Sequence, residues 1–157
     1  MTSAPRPLDG VKVVEFSHMV MGPTCGLILA DLGADVVKVE PASGGDNTRY
    51  LPGSGSGIFG TYNRNKRSVS VNLKSPEGLE FASRLVRESD VLIENFSAGV
   101  LERLGLGYEA MQKANPRLVY CALKGFLSGP YEQRVALDEV VQMMGGLAYM
   151  TGPEGRP

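Results

Sequence analysis

This 157-residue chain has little of what usually marks a catalytic or secreted protein at first reading. It has one histidine, His18, and two cysteines, Cys25 and Cys121, with no CxxC pair and no evenly spaced set. That excludes a disulfide framework, and the opening segment "MTSAPRPLDG" lacks the apolar run of a signal peptide, so a reducing, cytoplasmic setting is expected. No apolar run approaches the roughly 20 residues needed to cross a bilayer, and a soluble protein is expected. Sixteen basic residues stand against 17 acidic ones, for a formal net charge of −1. Such a balance gives no general attraction to nucleic acid or to an anionic membrane, so any anion has to be met locally. The length suffices for one core and demands no second domain.

What is present is an alternation of short β-rich runs with helical ones. "VKVVEF" (11–16) and "DVVKVE" (35–40) read as strands, and "PTCGLILADLG" between them has helical spacing, with Pro23 in the first turn and Gly33 at the stop. From Pro41 to Gly60 the chain is rich in Gly, Ser, Pro and Asn, and an irregular surface excursion is expected. "SVSVNL" (68–73) is a third strand. Ser75 as N-cap, Pro76 at the first helical position and Glu77 at the positive end then predict a helix start. "VLIEN" (91–95) and "LVYCAL" (118–123) add two strands, separated by one or two helices broken at Gly105 and Gly107. A last helix is expected from Asp138. This order predicts an α/β fold with an open parallel sheet and helices on both faces. Ligands of such sheets bind beyond the carboxyl ends of the strands. The candidate segments are therefore Ser17–Gly22, Pro41 onward, Lys74, Asn95–Gly99 and Lys124–Gly129.

The loop "SHMVMGPTCG" lacks the GxGxxG spacing of a dinucleotide fingerprint, which disfavours an NAD site. No second histidine stands near His18, so a hydrogen-bonding role suits it better than metal ligation or general base catalysis. Cys25 without a histidine partner reads as packing rather than as a nucleophile. "NRNKRSVSVNLK" gathers Arg64, Lys66, Arg67 and Lys74, which suit phosphates or a solvated strand entrance equally. "ENFSAGVLERLG" puts Asn95 at a strand end and Arg103 on the next helix, whose start is a candidate anion site. Tyr131, Arg134 and Asp138 lie in a Gly/Pro loop, where Asp138 is read first as the N-cap of the last helix and second as a catalytic group.

Together, "LDGVKVVEFSHMVMGPTCGLILADLGADVVKVEP", "YNRNKRSVSVNLKSPEG", "DVLIENFSAGVLERLGLGYEAMQKANPRLVYCALKGF" and "SGPYEQRVALDEVVQMMGGLAYMTG" resemble the N-terminal part of the class III (CaiB/BaiF, formyl-CoA transferase type) coenzyme A-transferase family. The resemblance implies that residues 1–157 form the N-terminal part of a Rossmann-like large domain. It implies acyl-CoA and a carboxylic acid as substrates, no permanently bound cofactor, no metal, and an interlocked homodimer in the complete protein. It places Val20, Met21, Val71, Asn72, Leu73, Lys74, Asn95, Phe96, Ser97, Arg103 and Asp138 against coenzyme A. Formyl-CoA transferases have a basic residue after the position of Glu40. Pro41 stands there in this chain, so Lys66, Arg67 or Arg49 is expected to take the phosphate charge.

The family's nucleophile is an aspartate that forms an anhydride and then an aspartyl-CoA thioester; it is expected beyond residue 157, so this chain alone is expected to be inactive. Related racemases carry a His-Asp pair where this chain has Leu137 and Asp138, which disfavours racemase chemistry and leaves carnitine-type relatives open. The segment from Lys124 to Gly152 is most similar to transferases of the mesaconyl-CoA and itaconate type. Alternatives are a non-catalytic CoA-binding subunit or fragment and a plain nucleotide-binding domain.

Overall fold

Valine-rich runs that are apolar on both sides belong inside a parallel sheet, covered by helices on each face. The computed structural model, which describes residues 4–153 and residue 155, places them there. Strands β1 (Lys12–Phe16), β2 (Asp35–Pro41), β3 (Arg67–Val71), β4 (Val91–Glu94) and β5 (Val119–Ala122) pair in parallel in the order β3-β2-β1-β4-β5. Helix α1 (Met21–Asp31) connects β1 to β2, and α2 (Ile58–Tyr62) precedes β3. Helix α3 (Pro76–Arg87) leads to β4, while α4 (Val100–Arg103) and α5 (Tyr108–Ala114) lead to β5.

The side-chain alternation of the strands divides the core in two. On one face Val14, Phe16, Val39, Val71 and Leu92 pack with Ala82 and Val86 of α3 and with Leu101, Leu106 and Met111. On the other, Val13, Val36 and Ile93 pack with Ala30 of α1 and with Ala34. The helix ends follow the sequence signals. Ser75 accepts a hydrogen bond from the Gly78 N–H at 3.1 Å, with Pro76 first in α3. Helix α1 stops at Gly33, whose φ of 112° only glycine adopts without strain. Its N–H donates to Ala30, and that of Ala34 to Leu29, which closes the helix with paired carbonyls.

The segment after β2 is more ordered than its composition predicts. Two short 3-10 helices, Asn47–Tyr50 and Gly53–Gly55, precede α2. Buried polar groups organise it. Asp46 accepts from both the N–H (2.9 Å) and the hydroxyl (2.7 Å) of Thr48. Glu40 accepts two bonds from the Arg49 guanidinium, one from Ser68 and one from the Asp46 N–H. Arg49 also lies 3.8 Å from the centre of the Phe59 ring.

The chain divides into two compact units, Met1–Leu123 and Lys124–Pro157. The second holds α6 (Asp138–Met144) and α7 (Leu147–Met150). The expected single helix is broken at Gly145 and Gly146, the latter with a φ of 78°. In its loop Tyr131 packs between Phe126 and Arg134. No helix among the described residues is long and apolar enough to cross a membrane.

Burial raises the Glu40 pKa, but the bonds from Arg49, Ser68 and the Asp46 N–H outweigh it and hold the carboxyl at about 2, against an ordinary 4.5. Asp46 is lowered too, since the Thr48 bonds and Lys38 overcome its burial. A depressed folded-state pKa adds stability that is complete above the unfolded value and lost as pH falls toward the folded one. Denaturant titrations should therefore show stability falling between pH 4.5 and 2. Arg49→Ala should cost about 1–3 kcal/mol at pH 7 and flatten that acid limb. An unchanged profile in the variant would contradict the role given to Arg49.

Candidate functional site

Strand order reverses at β1, which has β2 on one side and β4 on the other. The loops after β1 and β4 therefore leave toward opposite faces, the switch point at which open parallel sheets take their ligands. Asn95, just past β4, bridges to the first loop. Its Oδ1 accepts from the His18 N–H at 3.0 Å, and its Nδ2 donates to the His18 carbonyl at 2.9 Å. The His18 ring stacks on Phe96, with centroids 5.8 Å apart and planes 26° apart. Met19 then takes a φ of 62°, the left-handed region that non-glycine residues rarely enter. Val20 and Met21, both exposed, begin α1, whose N-terminus has no side-chain cap. His18 is thus held in the loop by its backbone groups, while its ring stacks on Phe96.

At the β3 end Val71 is buried in the core and Leu73 packs against it, so the backbone is what this segment presents. Asn72 turns the chain by accepting from the Lys74 N–H at 3.0 Å. The Phe96 N–H donates to Glu94, Ser97 is exposed, and the Ser97 carbonyl accepts from the Val100 N–H. Helix α4 is a single turn of four residues, too short for the anion-binding helix start expected there. Arg103 ends that turn, its guanidinium over Gly99.

The cations expected to replace a basic residue at Pro41 are otherwise engaged. Arg49 is bound to Glu40, and Arg67 pairs with Asp35 at the amino end of β2. Lys66 is buried against Glu15, and Arg64 pairs with Asp31. The partners of Lys66, Arg64 and Arg67 lie next to them in the fold though far along the chain, which local spacing does not reveal. Lys74 and Arg103 are exposed and have no ion pair or hydrogen-bonded side chain among the described residues.

A feature that the motif reading missed lies beneath the first loop. Glu15, on β1, has no solvent exposure. Its Oε1 accepts from the Ser17 hydroxyl and faces Lys38 at 3.4 Å, and its Oε2 faces Lys66 at 2.8 Å. Lys66 donates to the Pro23 carbonyl of α1 at 2.8 Å and to Asn63 at 3.2 Å. Lys38 donates to the Ser17 carbonyl at 2.6 Å and pairs with Asp46 at 3.0 Å. Gly26 lets α1 lie over this cluster, since a Cβ there would stand 1.8 Å from Glu15 Oε2. Burial lowers the Lys66 pKa against the opposing pull of Glu15. The signal was available: charged residues inside "KVVEF" and "DVVKVE", strands covered on both faces, have to be paired.

Cys25 packs half-buried beside Cys121, and burial raises its pKa, which disfavours the thiolate. Asp138 belongs to the second unit. It is not the N-cap expected from the sequence: Leu137 takes that place, Asp138 is the first helical residue, and its carboxylate accepts from Gln142 one turn on. Leu137 is extended with ψ near 157°, so the helix begins one residue later.

The sequence pattern of CoA-transferase family III matches residues 8–157. A formyl-CoA:oxalate CoA-transferase of Rhodopseudomonas palustris is 45% identical over 97% of this chain and 37% of its own length. A succinate–glutarate CoA-transferase of Agrobacterium fabrum is 42% identical over the whole chain and 43% of its own length. The crystal structure of a CAIB/BAIF family protein from Brucella suis superposes with a TM-score of 0.89 at 43% identity, covering 98% of this chain and 43% of that one. The chain thus spans about two fifths of the length of these relatives. The sheet, its strand order and the matched residues agree: this chain belongs to CoA-transferase family III.

Proposed function

We propose that residues 1–157 supply the coenzyme A-binding part of a CoA-transferase that moves CoA from an acyl-CoA to a carboxylic acid. The observation that carries this reading is the strand-order switch at β1, with Lys74 and Arg103 near strand ends as unpaired cations. A CoA tail needs phosphate contacts at one end and backbone donors near the thioester. Lys74 and Arg103 suit the phosphates, and the Asn72–Lys74 and Asn95–Ser97 turns offer backbone groups. Val20 and Met21, with the uncapped start of α1, suit the pantetheine side.

In the chemistry proposed, an aspartate beyond residue 157 attacks the acyl-CoA carbonyl. The C–S bond breaks and CoA leaves as thiolate, giving an anhydride. The thiolate then attacks the aspartyl carbonyl, releasing the donor acid and forming the aspartyl-CoA thioester. The acceptor carboxylate repeats these two steps in reverse. Splitting one acyl transfer this way lowers each barrier. The acceptor is proposed to be a short dicarboxylic acid, with a C5 acid such as mesaconate or itaconate as the first choice. The names of the relatives from Rhodopseudomonas and Agrobacterium, with oxalate, succinate and glutarate in them, support the dicarboxylate class. The complete protein is proposed to be an interlocked homodimer; Met143 and Met144, both exposed on α6, are candidates for burial there.

Calorimetry should find that the 157-residue chain binds CoA yet shows no transfer with any acyl-CoA and acid pair. Lys74→Ala and Arg103→Ala should each weaken CoA binding by about tenfold or more, the loss of a charged hydrogen bond. Affinity indifferent to both changes would remove these residues from the site, and transfer by the purified chain would overturn the placement of the nucleophile.

A further inference from the structure

Lys38 sits in the middle of β2, 1% exposed, where a parallel strand covered on both faces ordinarily carries an apolar residue. A buried ion pair is weak evidence for stability, because apolar residues of the same volume often do as well. What Lys38 does that an apolar residue cannot is donate to a backbone carbonyl. Its Nζ lies 2.6 Å from the Ser17 carbonyl, 3.0 Å from Asp46 Oδ2 and 3.4 Å from Glu15 Oε1. The ammonium group thus joins two segments: it donates to Glu15 and Ser17 at the end of β1, the Ser17 hydroxyl oxygen at 3.4 Å included, and forms an ion pair with Asp46 after β2.

Ser17 is where the chain leaves β1, one residue before His18, whose N–H and carbonyl are both held by Asn95 from β4. The loop is therefore fixed from the β2 side by Lys38 and from the β4 side by Asn95, immediately before the left-handed turn at Met19. We propose that Lys38 is a positioning residue: through the Ser17 carbonyl it holds the loop Ser17–Val20 in the form that receives coenzyme A, with Glu15 and Asp46 carrying its charge. The proposal rests on the CoA-binding reading for its ligand, though the holding of the loop does not. It also ties the first loop to the Asn47–Tyr50 segment, because Asp46 accepts from Thr48 through Oδ1 and pairs with Lys38 through Oδ2.

The test uses the 157-residue chain, coenzyme A as probe, and two variants. Lys38→Met keeps the length of the side chain and removes its charge and donors. Should the two carboxylates left with only Lys66 prevent folding, Lys38→Met with Asp46→Asn restores charge balance and carries the test alone. Val86→Ala, in the core at the far end of α3, serves as a control matched in melting temperature.

The Lys38 variants should bind CoA about tenfold or more weakly, and the double variant should melt higher than Lys38→Met without regaining affinity. Val86→Ala should bind within twofold of the parent chain. Amide hydrogen exchange at His18–Val20 should quicken in the Lys38 variants and not in Val86→Ala. Parent-like exchange at these amides, or parent-like affinity in either Lys38 variant, would overturn the proposal. If the parent chain binds no CoA, the functional reading falls, and the exchange comparison decides the role of Lys38 by itself.

Discussion

The Glu15 carboxylate lies wholly inside the protein, and keeping it paired constrains where four chain segments run. An unpaired charge at such depth costs several kcal/mol, and loss of one partner of a buried pair costs about 3–5 kcal/mol. Lys66 comes to it from the approach to β3 and also grips the start of α1 through the Pro23 carbonyl. Lys38 comes from β2 and reaches on to Ser17 and Asp46. Two carboxylates and two ammonium groups balance, so the cluster is neutral as a whole. Its bonds end on the first loop, on α1 and on the Asp46–Tyr50 segment. The apolar half of the same sheet face, Val13 and Val36, packed with Ala30 of α1, supplies the burial that makes an error in this pairing costly.

That internal pairing decides which positive charges remain for a ligand. Arg49 and Lys66 are taken up in holding loops to the sheet; Arg64 and Arg67 are held at Asp31 and Asp35. The basic run 64–74 thus divides by function, its first three cations structural and Lys74 left outward. Arg103 is the counterpart beyond β4. A near-neutral chain can in this way attract a polyanionic tail at chosen points without a general positive field.

Much of the architecture was legible because its signals are local. The Ser75-Pro76 helix start, the Gly33 stop, and the breaks at Gly105 and Gly107 are each fixed by one or two residues whose backbone chemistry allows little else. The place of the candidate site is an expectation from strand alternation alone, since a parallel sheet leaves its loops at the carboxyl ends. The order after β2 was not legible. Asp46 and Glu40 organise a Gly-rich segment through partners on β2, β3 and the segment itself, so composition suggested irregularity where buried hydrogen bonds impose turns. Long-range pairs also hid the fate of Lys66 and Arg67, and the turn after β2 hid that of Arg49. The Asn95 clamp was half visible: its position at a strand end marked it, while its use of both amide groups on His18 depends on β1 and β4 being neighbours.

The account therefore joins a buried electrostatic cluster to a proposed binding edge: paired charges shape the loops, and the unpaired ones are those proposed to meet the ligand. Its central claim is that coenzyme A lies across the carboxyl ends of β3, β1 and β4. Backbone amide NMR of the 157-residue chain during titration with coenzyme A tests this most directly. The expected result is a saturable set of shifts at Val20, Met21, Asn72, Lys74, Phe96, Ser97 and Arg103, with the amides at the amino ends of the strands unmoved. Shifts confined to those amino ends or to the outer face of α3, or no saturable change at millimolar coenzyme A, would contradict it.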